Sequence, residues 1–152
     1  MSSNFRYYLK KLTSNELGYR NNRLVTGQIF YLSKQAIEFF PPLSPQIHND
    51  SIGIEITVEY RPSPVTVNLV FHNDKYSRSE GTRDEYRIYL NRDIAPDDFF
   101  FRPGDIIIFE KKSLSTYNLS LIKPSDSKYL YFEKLIKDNF VRGSHALVEN
   151  LY

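Results

Sequence analysis

Apolar and polar positions alternate most strictly between Ile52 and Tyr60. Ile52, Ile54, Ile56, Val58 and Tyr60 share one face, and Glu55, Thr57 and Glu59 share the other. A two-residue period marks a half-buried strand. Val65, Val67, Leu69 and Phe71 repeat the pattern after a turn bracketed by Pro62 and Pro64. Weaker strand rhythms run from Phe5 to Leu12, through Phe5, Tyr7 and Leu9, and from Leu24 to Leu32, where Gly27 marks a bulge or bend. Arg87 to Leu90 is a further short strand, and Phe99 to Phe101 reads as a strand entering a barrel. A tight turn centred on Pro103 and Gly104 leads into Ile106 to Phe109, which pairs with Thr116 to Ile122. Two segments read as helices. Ser33 caps Lys34 to Phe40, which Pro41 and Pro42 stop. Asp126 or Ser127 caps Lys128 to about Asn139, where Phe132, Leu135, Ile136 and Phe140 fall at helical spacing. The sum is mainly β with two helices, about seven strands in an open barrel or sandwich. The order of elements is not that of a βαβ fold, and no internal repeat is evident.

Composition leaves this picture intact and narrows the chemistry. The chain has 152 residues, 41% hydrophobic and 25% charged, which is ordinary for a globular domain with its own core. Its 12 Tyr and 11 Phe favour sheet. With no cysteine there are no disulfides and no thiolate metal sites. No apolar run reaches membrane-span length, so no membrane partner is expected. Arg142 to Tyr152 resembles a vector linker running into the start of a protease-tag site. Residues 143–152 are therefore set outside the fold, leaving 1–142 as one domain.

Net charge is only +2, but its distribution is uneven. Residues 1–35 carry Arg6, Lys10, Lys11, Arg20, Arg23 and Lys34 against the single acid Glu16, a positive patch suited to phosphates. Residues 74–92 are mixed, with Lys75, Arg78, Arg83, Arg87 and Arg92 facing Asp74, Glu80, Asp84 and Glu85. Within this run, the polar stretch Lys75 to Arg87 lies between two strand-like segments. Two readings are open. Arginine forks match the acceptor pair on guanine and carboxylates can accept from the cytosine amino group, so the stretch can read a C·G-containing site in a DNA major groove. It can equally be a charged hairpin tip whose arginines pair with its own carboxylates.

Three segments together carry a family resemblance. They are Lys11 to Gly18 followed by Val25 to Leu32, Asn73 to Lys75 followed by Thr82 to Arg87, and Arg102 to Glu110. They resemble the N-terminal effector domain of EcoRII-type restriction endonucleases, a DNA-binding pseudobarrel of the plant B-three type. The Thr-Arg-x-Glu-x-Arg pattern at Thr82 to Arg87 is the most specific part. The Gly-Asp-x-x-x-Phe pattern at Gly104 to Phe109 is common to the wider fold. The resemblance covers roughly residues 5–138 and implies a seven-stranded open pseudobarrel whose two arms grip the major groove of double-stranded DNA. The arms would span about Ser14 to Arg23 and Lys75 to Arg87. On this reading Arg83, Asp84, Glu85 and Arg87, with Tyr19, Arg20, Asn21, Asn22 and Arg23, read bases. Lys10, Lys11, Ser14, Asn15, Lys75, Tyr76, Arg78 and Tyr86 hold the DNA backbone. The resemblance further implies a bacterial cytoplasmic protein of a restriction-modification system, monomeric as an isolated domain. It implies no cofactor and no catalysis in this domain, with a covalently linked nuclease domain in the parent enzyme. Tyr86 stands where the family has a basic residue, and the arm is longer around Ser79, Glu80 and Gly81, so the recognised sequence is expected to differ.

One enzymatic alternative has a sequence basis. Pro96-Asp97 followed by Glu110-Lys111-Lys112 has the spacing of a small magnesium-dependent nuclease, with Asp97 and Glu110 on the metal and Lys112 beside the attacking water. The spacing is permissive, and a solvated turn explains Asp97 as well.

Overall fold

The computed structural model describes residues 5–20, 23–24, 28–32, 34–74, 84–97, 99–142 and 145–152. Among the described residues eleven strands are present: β1 (Tyr7–Lys11), β2 (Tyr19–Arg20), β3 (Arg23–Leu24), β4 (Ile29–Leu32), β5 (Ser51–Val58), β6 (Val65–His72), β7 (Glu85–Tyr89), β8 (Ile106–Lys111), β9 (Thr116–Ile122), β10 (Phe140–Arg142) and β11 (His145–Val148). Nine form one sheet in the order β10-β11-β1-β8-β9-β5-β6-β7-β4, and β2 pairs with β3 in a separate ribbon. Every pairing is antiparallel except that of β5 with β9.

The sheet curls on itself. β4 and β8 are five places apart in it, and in a flat sheet roughly 24 Å would separate them. Yet the Phe30 ring on β4 lies 6.2 Å from Phe109 on β8, and 5.2 Å from Phe101. The concave side encloses the larger core, built on Tyr8, Phe30, Phe39, Phe40, Ile54, Phe109 and Tyr117. Among the described residues the convex side is covered at only one end. There the helix α1 (Tyr129–Asn139) lays Tyr129, Phe132 and Ile136 on Leu9, Ile106, Ile108, Ala146 and Val148. Because β8 is covered on both faces, Ile106 to Phe109 are all buried, and alternation is lost there.

The expected fold class is corrected in two respects. Only one α-helix stands among the described residues. Lys34–Phe39 is a six-residue 3-10 helix, too short before Pro41 and Pro42 to settle into α-helical hydrogen bonding. Its end is pinned by the Tyr117 hydroxyl, which donates to the Phe39 carbonyl at 2.9 Å. Second, the sheet has nine strands where a seven-stranded pseudobarrel was expected. Residues 145–148 form a strand of the same sheet. β11 lies between β10 and β1, with Ala146, Leu147 and Val148 buried. Phe99–Phe101 is also not a strand. It is a bent segment in which Phe101 is buried and Phe99 projects into solvent.

Candidate nucleic-acid interface

β4 and β7 run antiparallel, with Ile29 opposite Tyr89 and Leu32 opposite Tyr86. The chain therefore enters β4 at the Tyr89 end and enters β7 at the opposite end. The convex face of this strand pair lies between the bases of the two expected arms, and α1 does not reach it. Glu85 and Arg87 project from that face, since Tyr86 and Ile88 alternate inward.

Arg87 is held in place within the free chain. Its Nε donates to Glu85 Oε1 at 2.8 Å, a terminal guanidinium nitrogen bonds the same oxygen, and the guanidinium lies over the Tyr31 ring at 5.2 Å. Oε2 of Glu85 takes no bond from the described residues, which leaves it open to an outside donor. Burial pushes the Arg87 proton affinity down, but the Glu85 bond and charge and the Tyr89 hydroxyl outweigh it and hold it above the ordinary value. Beside the pair, His72 Nε2 and the Tyr89 hydroxyl share a hydrogen bond of 2.6 Å. Asp84, at the arm base, forms an ion pair with Lys34.

Residues flanking the arms are fixed by buried polar groups. The amide nitrogen of Asn73 donates to the carbonyls of Pro45 and Ile47, and its oxygen accepts from the Asn49 N–H. Gly104, at φ 94°, supplies the left-handed turn, and Asp105, 1% exposed, accepts from the Arg102 N–H and from Lys123. The Gly-Asp pattern is thus a structural device.

The other expected contacts divide. Arg83, Asn21, Asn22, Lys75, Tyr76 and Arg78 lie outside the described residues, as do the side chains of Tyr19, Arg20 and Arg23. Ser14 and Asn15 are exposed on the turn that ends at Gly18, which has φ 76°. Three residues face elsewhere. Tyr86 is buried and stacks on Phe71 at 4.4 Å with rings 10° from parallel. Lys11 reaches across the far end of the sheet to Glu133 of α1 at 2.6 Å. Lys10 is 2% exposed, and its ammonium is paired with Glu16 inside the protein.

Sequence reasoning missed that last pair. The Glu16 carboxylate accepts from Lys10, from the Thr13 N–H and hydroxyl, and from the Tyr31 N–H at 2.8 Å. Lys10 in turn donates to the Tyr31 carbonyl at 2.6 Å. Burial drives the Lys10 proton affinity down, and the Glu16 charge pulls it back. The two side chains thereby satisfy the outer edge of β4, which has no strand beyond it among the described residues. A signal was available, because Lys10 shares a strand face with Tyr8 and Leu12.

The nuclease alternative finds no metal centre. The Asp97 carboxylate accepts from the Phe99 N–H in its own turn, and Glu110 is taken up by Arg6, Tyr7 and Asn118, with Lys112 at 3.9 Å. Among the described residues no group of three or more His, Cys, Asp or Glu is placed to hold a metal ion. Partial burial pushes the Glu110 carboxyl up, but the Asn118 and Tyr7 hydrogen bonds and the Lys112 and Arg6 charges prevail and hold it below the ordinary 4.5. A depressed folded value adds stability above the unfolded pKa, which is lost as pH falls through the folded one. Wild-type protein is therefore expected to lose more stability than Glu110→Gln as pH drops below about 4.5, as urea titrations along that limb would show. Equal slopes would remove the role of Glu110.

The N-terminal domain of Helicobacter pylori LlaJI.R1 shares the fold. The two align with a TM-score of 0.61 over 94% of this chain and 97% of that one, at 18% identity. No protein-family model and no curated protein sequence matches the chain. No helix among the described residues is long and apolar enough to cross a membrane.

Proposed function

We propose that this chain is a double-stranded DNA-binding module of a restriction system, reading a short C·G-containing sequence in the major groove. The observation that carries the reading is the Glu85–Arg87 pair, displayed on a convex face between the bases of the two arms. Arg87 would present its remaining guanidinium donors to guanine O6 and N7, while Glu85 Oε2 accepts from the amino group of a cytosine. The internal ion pair then acts as preorganisation, holding the Arg87 guanidinium in one place before DNA arrives. Arg83 and Asp84, and Tyr19 to Arg23 on the other arm, would complete base readout. Lys75, Tyr76, Arg78, Ser14 and Asn15 would contact the phosphate backbone, which sets register but carries no sequence information. The sequence resemblance to restriction-endonuclease effector domains supports the reading, and the fold shared with the N-terminal domain of LlaJI.R1 agrees with it. Catalysis would reside in another domain or subunit, with this one acting as effector or targeting module.

The test begins with selection of bound duplexes from a random pool. Arg87→Ala is expected to weaken cognate binding by about 1–3 kcal/mol, roughly 5- to 150-fold, while nonspecific binding changes little. A mobility-shift titration in which Arg87→Ala keeps full cognate preference would remove Arg87 from readout. Failure of the wild-type chain to bind any duplex at low salt would overturn the function itself.

A further inference from the structure

The buried Lys10–Glu16 pair joins parts of the proposed interface that are separate in sequence. Glu16 lies at the base of the first arm, where it closes the Thr13 turn through both Thr13 donors. Its other oxygen and the Lys10 ammonium hold the backbone N–H and C=O of Tyr31. The Tyr31 ring carries the Arg87 guanidinium, and Tyr31 is the cross-strand partner of Arg87. A continuous run of contacts thus links the first arm to the readout side chain of the second. A strand edge could be satisfied more simply by water or by a backbone neighbour. Instead it takes two charges that are 2% and 0% exposed in their side chains, a costly arrangement that is retained most plainly where it fixes one geometry.

We infer that Lys10 and Glu16 are positioning residues for sequence discrimination, setting the first arm and the Tyr31–Arg87 stack in one register. This inference rests on the DNA-binding reading. Neither residue touches DNA; each acts through the Tyr31 backbone.

The double variant Lys10→Met/Glu16→Gln removes both charges at nearly constant volume, and its glutamine side chain retains an acceptor for the Tyr31 N–H. With folding verified by circular dichroism, its preference for the selected duplex over a scrambled one should fall about tenfold. Nonspecific affinity and its salt dependence should stay unchanged, because no phosphate contact is lost. Tyr31→Leu leaves the buried pair and its backbone bonds intact, removes only the ring, and should reproduce the loss. It provides the answer if the double variant does not fold. A second readout needs no DNA. In ¹⁵N-correlated NMR spectra of the free protein, the double variant should shift the Arg87 Nε–H resonance together with the amides of residues 13–18. Tyr31→Leu should shift Arg87 alone. Discrimination within twofold of wild type in both variants, or an Arg87 resonance unmoved in the double variant, would overturn the inference. If wild type binds no DNA, the earlier reading fails, and the NMR comparison still decides whether the pair positions Arg87.

Discussion

Glu16→Ala should lower the thermal midpoint by about 6–20 °C, the largest loss expected from any single polar substitution in this domain. The substitution removes every acceptor that the Thr13 turn and the Tyr31 N–H use on this side chain. It also leaves the Lys10 ammonium, 2% exposed, without its counter-charge. Breaking a buried pair from one side costs about 3–5 kcal/mol, because the stranded charge keeps only the Tyr31 carbonyl and loses its counter-charge. Each kcal/mol moves the midpoint by about 2–4 °C in a chain of this size. Replacing both partners is a different experiment. Lys10→Met/Glu16→Gln should recover most of the loss, since matched neutral groups carry no such desolvation penalty. Melting curves of the three proteins decide the matter. If Glu16→Ala melts with wild type, Lys10 must have found its way to solvent, and the seam between β1 and β4 is looser than described.

Phe109→Ala should cost about 3–5 kcal/mol, the range for deleting a large aromatic from a packed core. Phe109 is fully buried and lies 5.7 Å from the Phe40 ring, with Tyr8, Phe30 and Tyr117 within 6.3 Å. It therefore joins β1, β4, β9 and the segment after the 3-10 helix. A hole at this point removes contacts from several elements at once, and a curled sheet cannot close it by moving one strand. Phe99→Ala is the matched control, at 63% exposure. Surface substitutions of this kind usually stay within about 0.5 kcal/mol. Urea denaturation of the two variants should separate them clearly, and similar midpoints would mean that the core relaxes around residue 109.

Some elements were legible from periodicity, for reasons visible in the packing. Ile54, Ile56 and Val58 face the concave core, while Glu55 and Thr57 face the uncovered convex side, so a period of two survives. Ile52, at the end of the run, is 36% exposed, because the core ends there. The terminal helix was legible because one stripe of it meets the sheet. In and around β1, Phe5, Tyr7 and Leu9 alternate as a strand should, but the larger core is entered by Tyr8 and Leu12 on the other face, with Lys10 buried between them. Both faces are packed there, and the pattern alone could not rank them. Residues 143–152 were set aside for their resemblance to a vector linker, and that resemblance carries no information on pairing: β11 is held by backbone ladders on both sides, which any β-competent sequence can join. At the candidate site, Glu85 and Arg87 follow from alternation with Tyr86 and Ile88. Lys10 was mistaken for a surface cation because its partner lies on the turn beyond its own strand, and the reach of Glu16 back to Tyr31 depends on the curl of the sheet.

The place of β1 in the sheet also sets an order of events during synthesis. Tyr7 pairs with Glu110 on one side and Val148 on the other, so β1 is made long before either neighbour exists. β5, β6 and β7 follow one another as antiparallel neighbours, with β4 next to β7, and can assemble as soon as they emerge. The segment holding Tyr8 and Leu9 must wait, unpaired and apolar, until β8 and then β11 arrive. Nonlocal pairing of this kind slows folding and exposes the waiting strand to wrong partners. β1 is thus the strand most vulnerable during synthesis, and completion of the sheet waits for β11.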